Sequence, residues 1–168
     1  MECNDLTVTA RQATKSKIPS IIFRKMQLPD LDKVCELESR IFSDPWSRNN
    51  FVHEILDNLD SFPFVVEKDK EVIGYAIYWY IDSEAHIANF AIEECFRRKK
   101  IGKFLLCRLI EEMKRQKVRV VYLEVRRSNL AAQNLYLKHG FKIIGVRKNY
   151  YSKDKEDALL MSLPLKEG

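Results

Sequence analysis

A carboxylate, an amide and a phenol stand close together in the second half of the chain and could carry out proton transfer. Glu124 interrupts an otherwise apolar, strand-like run that begins at Val118, and Asn129 and Tyr136 follow in a segment with helical character. Asn129 and Tyr136 are seven residues apart, almost two helical turns, so their side chains point the same way. Burial near the end of a central strand disfavours the charged form of a carboxylate. We therefore predict a raised pKa for Glu124 and a role as general base.

Each of these residues also has an ordinary structural explanation. Glu124 and Arg126 lie on the same face of the strand and can form an ion pair. Asn129 is well placed as a helix N-cap, a role that is compatible with binding a ligand. Tyr136 can pack in the core, as single tyrosines usually do. The strand alone does not decide between these readings and the catalytic one.

Basic side chains are concentrated just upstream, in the segment IEECFRRKKIGK at 92–103. A strand ends there and an apolar-periodic helix begins. The first N–H groups of a helix have no internal partners, and the helix dipole adds positive potential, so a pyrophosphate is stabilised at such a terminus. The alternative is a solvated basic patch. A nucleic-acid surface is less favoured, because no aromatic side chains alternate with the basic ones.

The periodicity of apolar residues predicts the elements that position these groups. Strands are expected at Ser20–Met26, Phe64–Lys68, Val72–Ile81, Glu84–Ile92, Val118–Val125, Val146–Tyr151 and Ala158–Leu163. Helices are expected after Pro29 and Asp30, after the cap Ser47 (carrying Phe51, Ile55 and Leu59), over 101–116, and over Asn129–His139 with Gly140 closing it. This order predicts an α/β fold, a mixed sheet flanked by helices.

Length and composition favour one domain. We expect a loose leader over 1–19, with a transit peptide as the alternative, and a single domain over 20–168. No apolar run approaches membrane-spanning length, and the net charge of +5 suits an anionic ligand. The four cysteines and three histidines are too scattered for a metal site, which favours reduced thiols in a cytoplasmic protein. An acyl-cysteine intermediate on Cys95 is an alternative that the loop position leaves open.

Together these motifs resemble the GNAT acyltransferases, whose cofactor loop has the form Q/R-x-x-G-x-G/A. More narrowly, they resemble the ribosomal-protein-alanine N-acetyltransferases of the RimI type. The similarity runs from about Phe23 to Pro164, and its most specific pieces are FSDPWS, LEVRRSN, NLYLKHGF, NYY and EDALLM.

The resemblance implies a GNAT fold, a mostly antiparallel sheet flanked by about four helices, and acetyl-CoA as co-substrate. It implies an acceptor at a protein N-terminus, such as a ribosomal protein beginning with alanine. The residues themselves favour neither nucleic acid nor membrane as partner. The resemblance assigns Glu124 as base and Tyr136 as acid. It assigns the peptide-binding side to Trp46, Tyr150 and Tyr151, and cofactor binding to Phe90, Ala91, Ile92, Arg97, Arg98, Lys99, Lys100, Ile101, Gly102, Lys103 and Asn129.

The chain departs from the family pattern at two positions. Lys100 stands where the loop usually has its first glycine, and Glu94 stands where proline is common. The first departure bears on the geometry of the loop and its affinity for the cofactor. Alternative functions are acetylation of a lysine or small amine, a non-catalytic acyl-CoA-binding module, and nucleic-acid binding.

Overall fold

The computed structural model describes residues 21–165. The protein consists of one twisted sheet with helices on both faces. The strands within these residues are β1 (Ile21–Lys25), β2 (Ser61–Lys68), β3 (Glu71–Ile81), β4 (Glu84–Ile92), β5 (Val120–Arg126), β6 (Lys142–Tyr151) and β7 (Glu156–Pro164). The α-helices are α1 (Leu31–Ile41), α2 (Arg48–Leu56), α3 (Ile101–Arg115) and α4 (Leu130–Lys138). The predicted leader over 1–19 lies outside the described residues.

The sheet has the order β1-β2-β3-β4-β5-β7-β6, and its one parallel pair within the described residues is β4–β5. The mixed, mostly antiparallel architecture and the order of elements confirm the predicted fold class. Local chemistry explains several boundaries. Asp69 and Lys70 both take positive φ, 50° and 71°, which gives the tight turn between β2 and β3 the twist that a hairpin needs. Ser47 accepts a hydrogen bond from the Asn50 N–H and caps α2.

Two apolar clusters cover the two faces of the sheet. The first, under α3 and α4, includes Leu105, Leu109 and Met113 from α3, all fully buried. The second lies under α1 and α2 and includes Leu31 and Phe51. These faces are called the α3/α4 face and the α1/α2 face below.

Several details of the predicted elements are wrong, including the starts of β2, at Ser61 rather than Phe64, and of β5, at Val120 rather than Val118. Leu59 was expected on the second helix, but α2 ends at Leu56, and Leu59 lies in the following turn with 91% of its surface exposed. β6 begins at Lys142 rather than Val146, because Lys142 and Ile143 already pair with Ser162 and Met161 of β7. The expected closure of α4 is confirmed, since Gly140 has φ of +90° just beyond its end.

Candidate active site

A gap between the two parallel strands forms the centre of the candidate site. Their register runs from Glu84 opposite Val120 to Ile87 opposite Leu123 and ends there. Beyond that point β4 stays paired with β3 and β5 with β7, so the strands diverge. A cavity of about 480 Å³ occupies this region. The predicted site residues that line it are Trp46, Phe90, Glu124, Asn129, Tyr136, Tyr150 and Tyr151.

Glu124 lies at the wall of this cavity between two partners from other strands. Its Oε2 contacts His86 Nε2, and its Oε1 accepts a hydrogen bond of 2.6 Å from Arg147. Burial raises the pKa of the Glu124 carboxyl, but the hydrogen bonds and charges of His86 and Arg147 outweigh burial and hold the pKa below its ordinary value. The predicted raised pKa is therefore wrong, because the prediction counted desolvation and omitted the partners.

His86 and Arg147 are site residues that the sequence reasoning missed. The sequence presents the histidines only as scattered candidates for a metal site, and the contacts of Glu124 depend on the order of the strands. His86 lies opposite Tyr122 in the parallel register, and Arg147 comes from the outer strand β6. The available signal was a histidine on the strand that precedes the basic turn.

The ion pair between Glu124 and Arg126, the alternative to the catalytic reading, does not form. Arg126 Nη1 instead pairs with Asp154 at 2.7 Å and with Glu156 at 3.0 Å. Its guanidinium also lies over the Tyr151 ring, 3.9 Å from the centroid. Arg126 therefore fixes the β6–β7 connection, and Glu124 is left to His86 and Arg147.

Tyr136 reaches the cavity from the opposite, α3/α4 face. Its ring packs edge-on against Phe90, with centroids 6.0 Å apart, and is tilted against Phe141. Burial is the main cause that raises the pKa of the Tyr136 hydroxyl, and the nearby Tyr151 adds to it. The phenol therefore keeps its proton at neutral pH. The core-packing explanation of Tyr136 is correct for its ring, and its position at the cavity wall leaves the acid role open.

Asn129 is the N-cap of α4, as the sequence predicts. Its Oδ1 accepts a hydrogen bond of 3.1 Å from the Ala132 N–H. Since Asn129 also lines the cavity, the capping role does not remove it from the site.

The basic turn lies at the far end of β4, outside the residues that line the cavity. Arg97, Arg98, Lys99, Lys100 and Lys103 are all exposed. The N-terminus of α3 has no side-chain cap, and its N-cap residue Lys100 has left-handed geometry, with φ of 64° and ψ of 6°. Lys100 therefore adopts the conformation that glycine adopts most readily. Arg97 is partly structural, since its Nε donates to the Ile92 carbonyl at 3.2 Å.

Gly102, the one glycine of the cofactor-loop motif, allows close packing as well as the turn. A Cβ on Gly102 would lie 3.4 Å from Leu135 Cδ2 and 3.9 Å from Ile92 Cγ1. Gly102 thus brings the first turn of α3 close to α4 and to the end of β4. The neighbouring Ile101 is buried in the core cluster of the same face, and Phe90, Ala91 and Ile92 continue β4 up to this turn.

Two loops border the cavity on the α1/α2 face. Trp46, from the loop between α1 and α2, is stacked on Trp79 with ring centroids 6.5 Å apart. Tyr150 lies at the end of β6, where the Arg147 guanidinium sits 4.6 Å from its ring centroid. Ser43 links the two loops, because its hydroxyl donates to Asp154 Oδ2 at 2.5 Å. The aromatic residues implied for peptide binding thus lie on one rim.

Residues 21–165 lack two other kinds of functional feature. That stretch contains no group of three or more histidine, cysteine, aspartate or glutamate side chains arranged to hold a metal ion. None of its helices is long and apolar enough to cross a membrane. Cys95, the alternative nucleophile, is exposed at the turn after β4 and does not line the cavity.

Comparisons with known proteins place this geometry among acetyltransferases. The profile of the Acetyltransferase (GNAT) family matches residues 31–141. A Bacillus subtilis (strain 168) protein, named provisionally as a ribosomal protein bS18-alanine N-acetyltransferase, is 40% identical over 86% of this chain and 95% of its own length. The ribosomal protein bS18-alanine N-acetyltransferase of Escherichia coli (strain K12) is 32% identical over 83% of this chain and 95% of its own. The crystal structure of the Escherichia coli ribosomal-protein-S18-alanine N-acetyltransferase superposes with a TM-score of 0.81, at 30% identity, over 89% of this chain and 96% of that one.

Proposed function

The chain belongs to the GNAT acetyltransferase family, and from this membership we propose that it acetylates the α-amine of an N-terminal alanine in a ribosomal protein such as bS18. It is an acetyl-CoA-dependent N-acetyltransferase. The observation that carries the proposed acceptor is the pair of relatives with this specificity in their names, each aligned over more than four fifths of this chain.

The residues along β4 and the following turn fit a coenzyme A thioester, which supplies an activated acetyl group. The diverging strands leave a gap beside Phe90. The uncapped N-terminus of α3 offers backbone N–H groups, and the exposed basic side chains around it offer positive charge. We assign the pyrophosphate to residues 97–103 and the pantetheine to the backbone of Phe90, Ala91 and Ile92. N–H groups of the same strand segment would stabilise negative charge on the thioester oxygen.

We assign the proton acceptor to the pair formed by Glu124 and His86. An N-terminal α-amine has an ordinary pKa near 8, against about 10.4 for lysine, so it needs little help to lose its proton. Within this pair Glu124 takes up the proton, because its low pKa keeps the carboxyl ionised. His86 Nε2 contacts Glu124 Oε2 and so helps to hold the carboxyl in place.

Tyr136 is the acid in this scheme and donates its proton to the departing sulfur. Burial keeps the phenol protonated at neutral pH but makes it a weaker acid, so the role rests on the position of the hydroxyl at the cavity wall and on the basicity of the departing thiolate. Tyr136 reaches the cavity from the α3/α4 face, whereas Glu124 and His86 lie on the α1/α2 face. Acid and base therefore approach the reacting centre from opposite faces of the sheet.

The acceptor side combines aromatic walls with negative charge. Trp46 and Tyr150 border it, and three carboxylates line the cavity against two cations: Glu38, Asp44 and Glu124 against Arg126 and Lys153. Such a lining suits a cationic amine at the end of an extended peptide, even though the whole chain carries a charge of +5.

The test is to incubate the protein with acetyl-CoA and peptides that begin with Ala, Ser, Met or Glu and contain one internal lysine. Mass spectrometry with fragmentation locates the acetyl group. We expect a single acetyl group on the α-amine and the fastest reaction with the alanine peptide. An N-terminally blocked peptide of the same sequence is the control and should stay unmodified. Acetylation of the lysine in both peptides would contradict the proposal.

A further inference from the structure

Asn89, on β4, is a buried polar residue in the cavity wall that the mechanism so far leaves without a role. Only 7% of its surface is exposed. Ile77 pairs with Asn89 and Tyr78 pairs with Ile87, so Ala88 is an extra residue that forms a β-bulge. The bulge changes the alternation of side chains, and Asn89 comes to lie on the same face as His86, three residues before it.

Contacts on either side establish that shared face. His86 packs edge-on against Trp79, which belongs to the cluster under α1 and α2. Asn89 contacts Glu38 of α1, and its neighbour Phe90 turns the other way to pack on Tyr136. Asn89 therefore faces the side of the cavity where the acceptor is expected.

Glu38 fixes the orientation of the Asn89 amide. Glu38 is 1% exposed, and its carboxyl oxygens accept hydrogen bonds from the Trp46 N–H at 2.8 Å and from the Tyr75 hydroxyl. The Asn89 group that faces Glu38 Oε2 at 3.2 Å must then be the donor, Nδ2. This network turns the amide oxygen of Asn89 away from Glu38.

The Asn89 Oδ1 atom is buried and has no hydrogen-bond partner within residues 21–165. Buried polar atoms in native proteins are almost always paired, and an unpaired one costs free energy. An oxygen acceptor in this position calls for an N–H or O–H donor that arrives with a ligand. The acceptor amine is such a donor, since it has a second N–H besides the one it gives to the base.

We propose that Asn89 Oδ1 accepts a hydrogen bond from the α-amine of the acceptor, and that Glu38 is a positioning residue that holds the Asn89 amide in this orientation. The inference rests on the proposed N-terminal acetylation. One N–H of the amine meets the Glu124–His86 pair and the other meets Asn89. These two hydrogen bonds fix the direction of the nitrogen lone pair, as attack on the thioester carbon requires.

The matched pair of variants is Asn89→Leu and Asn58→Leu. Asn58 Nδ2 donates to the buried Glu54 at 3.1 Å, and Asn58 itself does not line the cavity. Asn58→Leu therefore removes the same kind of asparagine–glutamate bond, while Glu54 keeps its hydrogen bond from Trp79 Nε1 at 2.9 Å. We expect Asn89→Leu to lower kcat/KM for the alanine peptide about 10- to 100-fold. Its Kd for acetyl-CoA should stay within about twofold of wild type. Asn58→Leu should lower the melting temperature and leave kcat/KM unchanged.

A peptide that begins with N-methylalanine tests direct contact, because its amine has one N–H fewer. Wild type should prefer alanine strongly over N-methylalanine, and Asn89→Leu should lose most of that preference, which a merely structural defect does not do. Glu38→Gln is the second variant, since it leaves Asn89 in place but lets its amide flip. It should reproduce part of the loss in preference.

The outcomes separate this inference from the proposed function. If wild type acetylates the N-terminal peptides and both variants at Asn89 and Glu38 keep its preference for alanine, the role of Asn89 is wrong and the function stands. An equal loss of acetyl-CoA affinity in Asn89→Leu would assign Oδ1 to the coenzyme and also overturn it. If wild type acetylates no N-terminal peptide, both proposals fall.

Discussion

The carboxyl end of β4 and its middle are built in different ways. Its carboxyl end runs into the basic turn over 97–103, where backbone N–H groups and exposed cations follow one another along the chain. Its middle carries His86 and Asn89, whose partners Glu124 and Glu38 come from β5 and α1. The first region is local in sequence, and the second is assembled by the tertiary fold.

This difference predicts different tolerance to substitution. At the basic turn, positive charge is shared by five side chains, so a single loss weakens the local potential only in part. On the acceptor side each atom has one specific partner, and the removal of one leaves another buried and unpaired. Single substitutions in the two regions test this contrast, and the largest effect is expected on the acceptor side.

Replacement of the base on the acceptor side should have the largest effect. Glu124→Gln keeps the shape of the side chain but cannot take up a proton, so kcat should fall about 10²- to 10⁴-fold. The Kd for acetyl-CoA, measured by calorimetry, should be unchanged. Glu111→Gln is the control, because Glu111 pairs with Arg108 on the surface of α3. A Glu124→Gln variant with wild-type kcat would show that the amine needs no base.

The acid on the opposite face should have the next largest effect. Tyr136→Phe removes only the hydroxyl, so we expect kcat to fall about 10²-fold with little change in either KM. Steady-state kinetics with thiol detection measures this. Tyr78→Phe is the matched control, since Tyr78 is fully buried, donates to Gln116 at 3.2 Å and does not line the cavity. Equal losses in both variants would assign the effect to packing.

Features whose residues are close together in the chain are the ones that the sequence predicts best. The order of all strands and helices follows from short-range periodicity, and it agrees with the structure. The basic turn is a contiguous run, and Glu124, Asn129 and Tyr136 fall within 13 residues of one another. Residues this close in the chain can be placed relative to one another from a single sequence, because strand and helix geometry alone fixes the relative directions of their side chains.

The acceptor side could not be predicted in the same way. The contact of His86 with Glu124 joins residues 38 apart, and that of Arg147 joins residues 23 apart. Both require that β5 lie between β4 and β7, which no local pattern specifies. The bulge at Ala88, which turns Asn89 to the face of His86, is equally invisible. The pKa of Glu124 was predicted in the wrong direction for the same reason.

Substitution of Lys100, which stands where the motif usually has glycine, tests the basic turn. Lys100 holds φ of 64°, a conformation that costs a non-glycine residue about 1–2 kcal/mol. Lys100→Gly and Lys100→Ala lose the same charge, but only the first relieves the strain. We expect the glycine variant to melt about 2–4 °C above the alanine variant. Its acetyl-CoA affinity should be a few-fold higher. Identical melting temperatures would show that the turn is not strained.

The smallest effect is expected from Arg147, the exposed partner of Glu124, because it changes the pH range of activity more than its maximum. The hydrogen bond and charge of Arg147 help to lower the pKa of Glu124, against the effect of burial. A base with a lowered pKa stays ionised to lower pH, so activity is lost only as the pH falls through that value. In Arg147→Met the pKa of Glu124 rises, and the acid limb of kcat/KM should move to higher pH.

Lys148→Met provides the control for this shift, since it removes a neighbouring cation on the same strand that pairs with Asp157 at 3.0 Å rather than with Glu124. Its acid limb should coincide with that of wild type. If both variants shift the acid limb of kcat/KM equally, the shift is caused by the total positive charge of β6 rather than by the contact of Arg147 with Glu124. A shift confined to Arg147→Met would instead show that the acceptor side depends on individual contacts, in contrast to the shared charge of the basic turn.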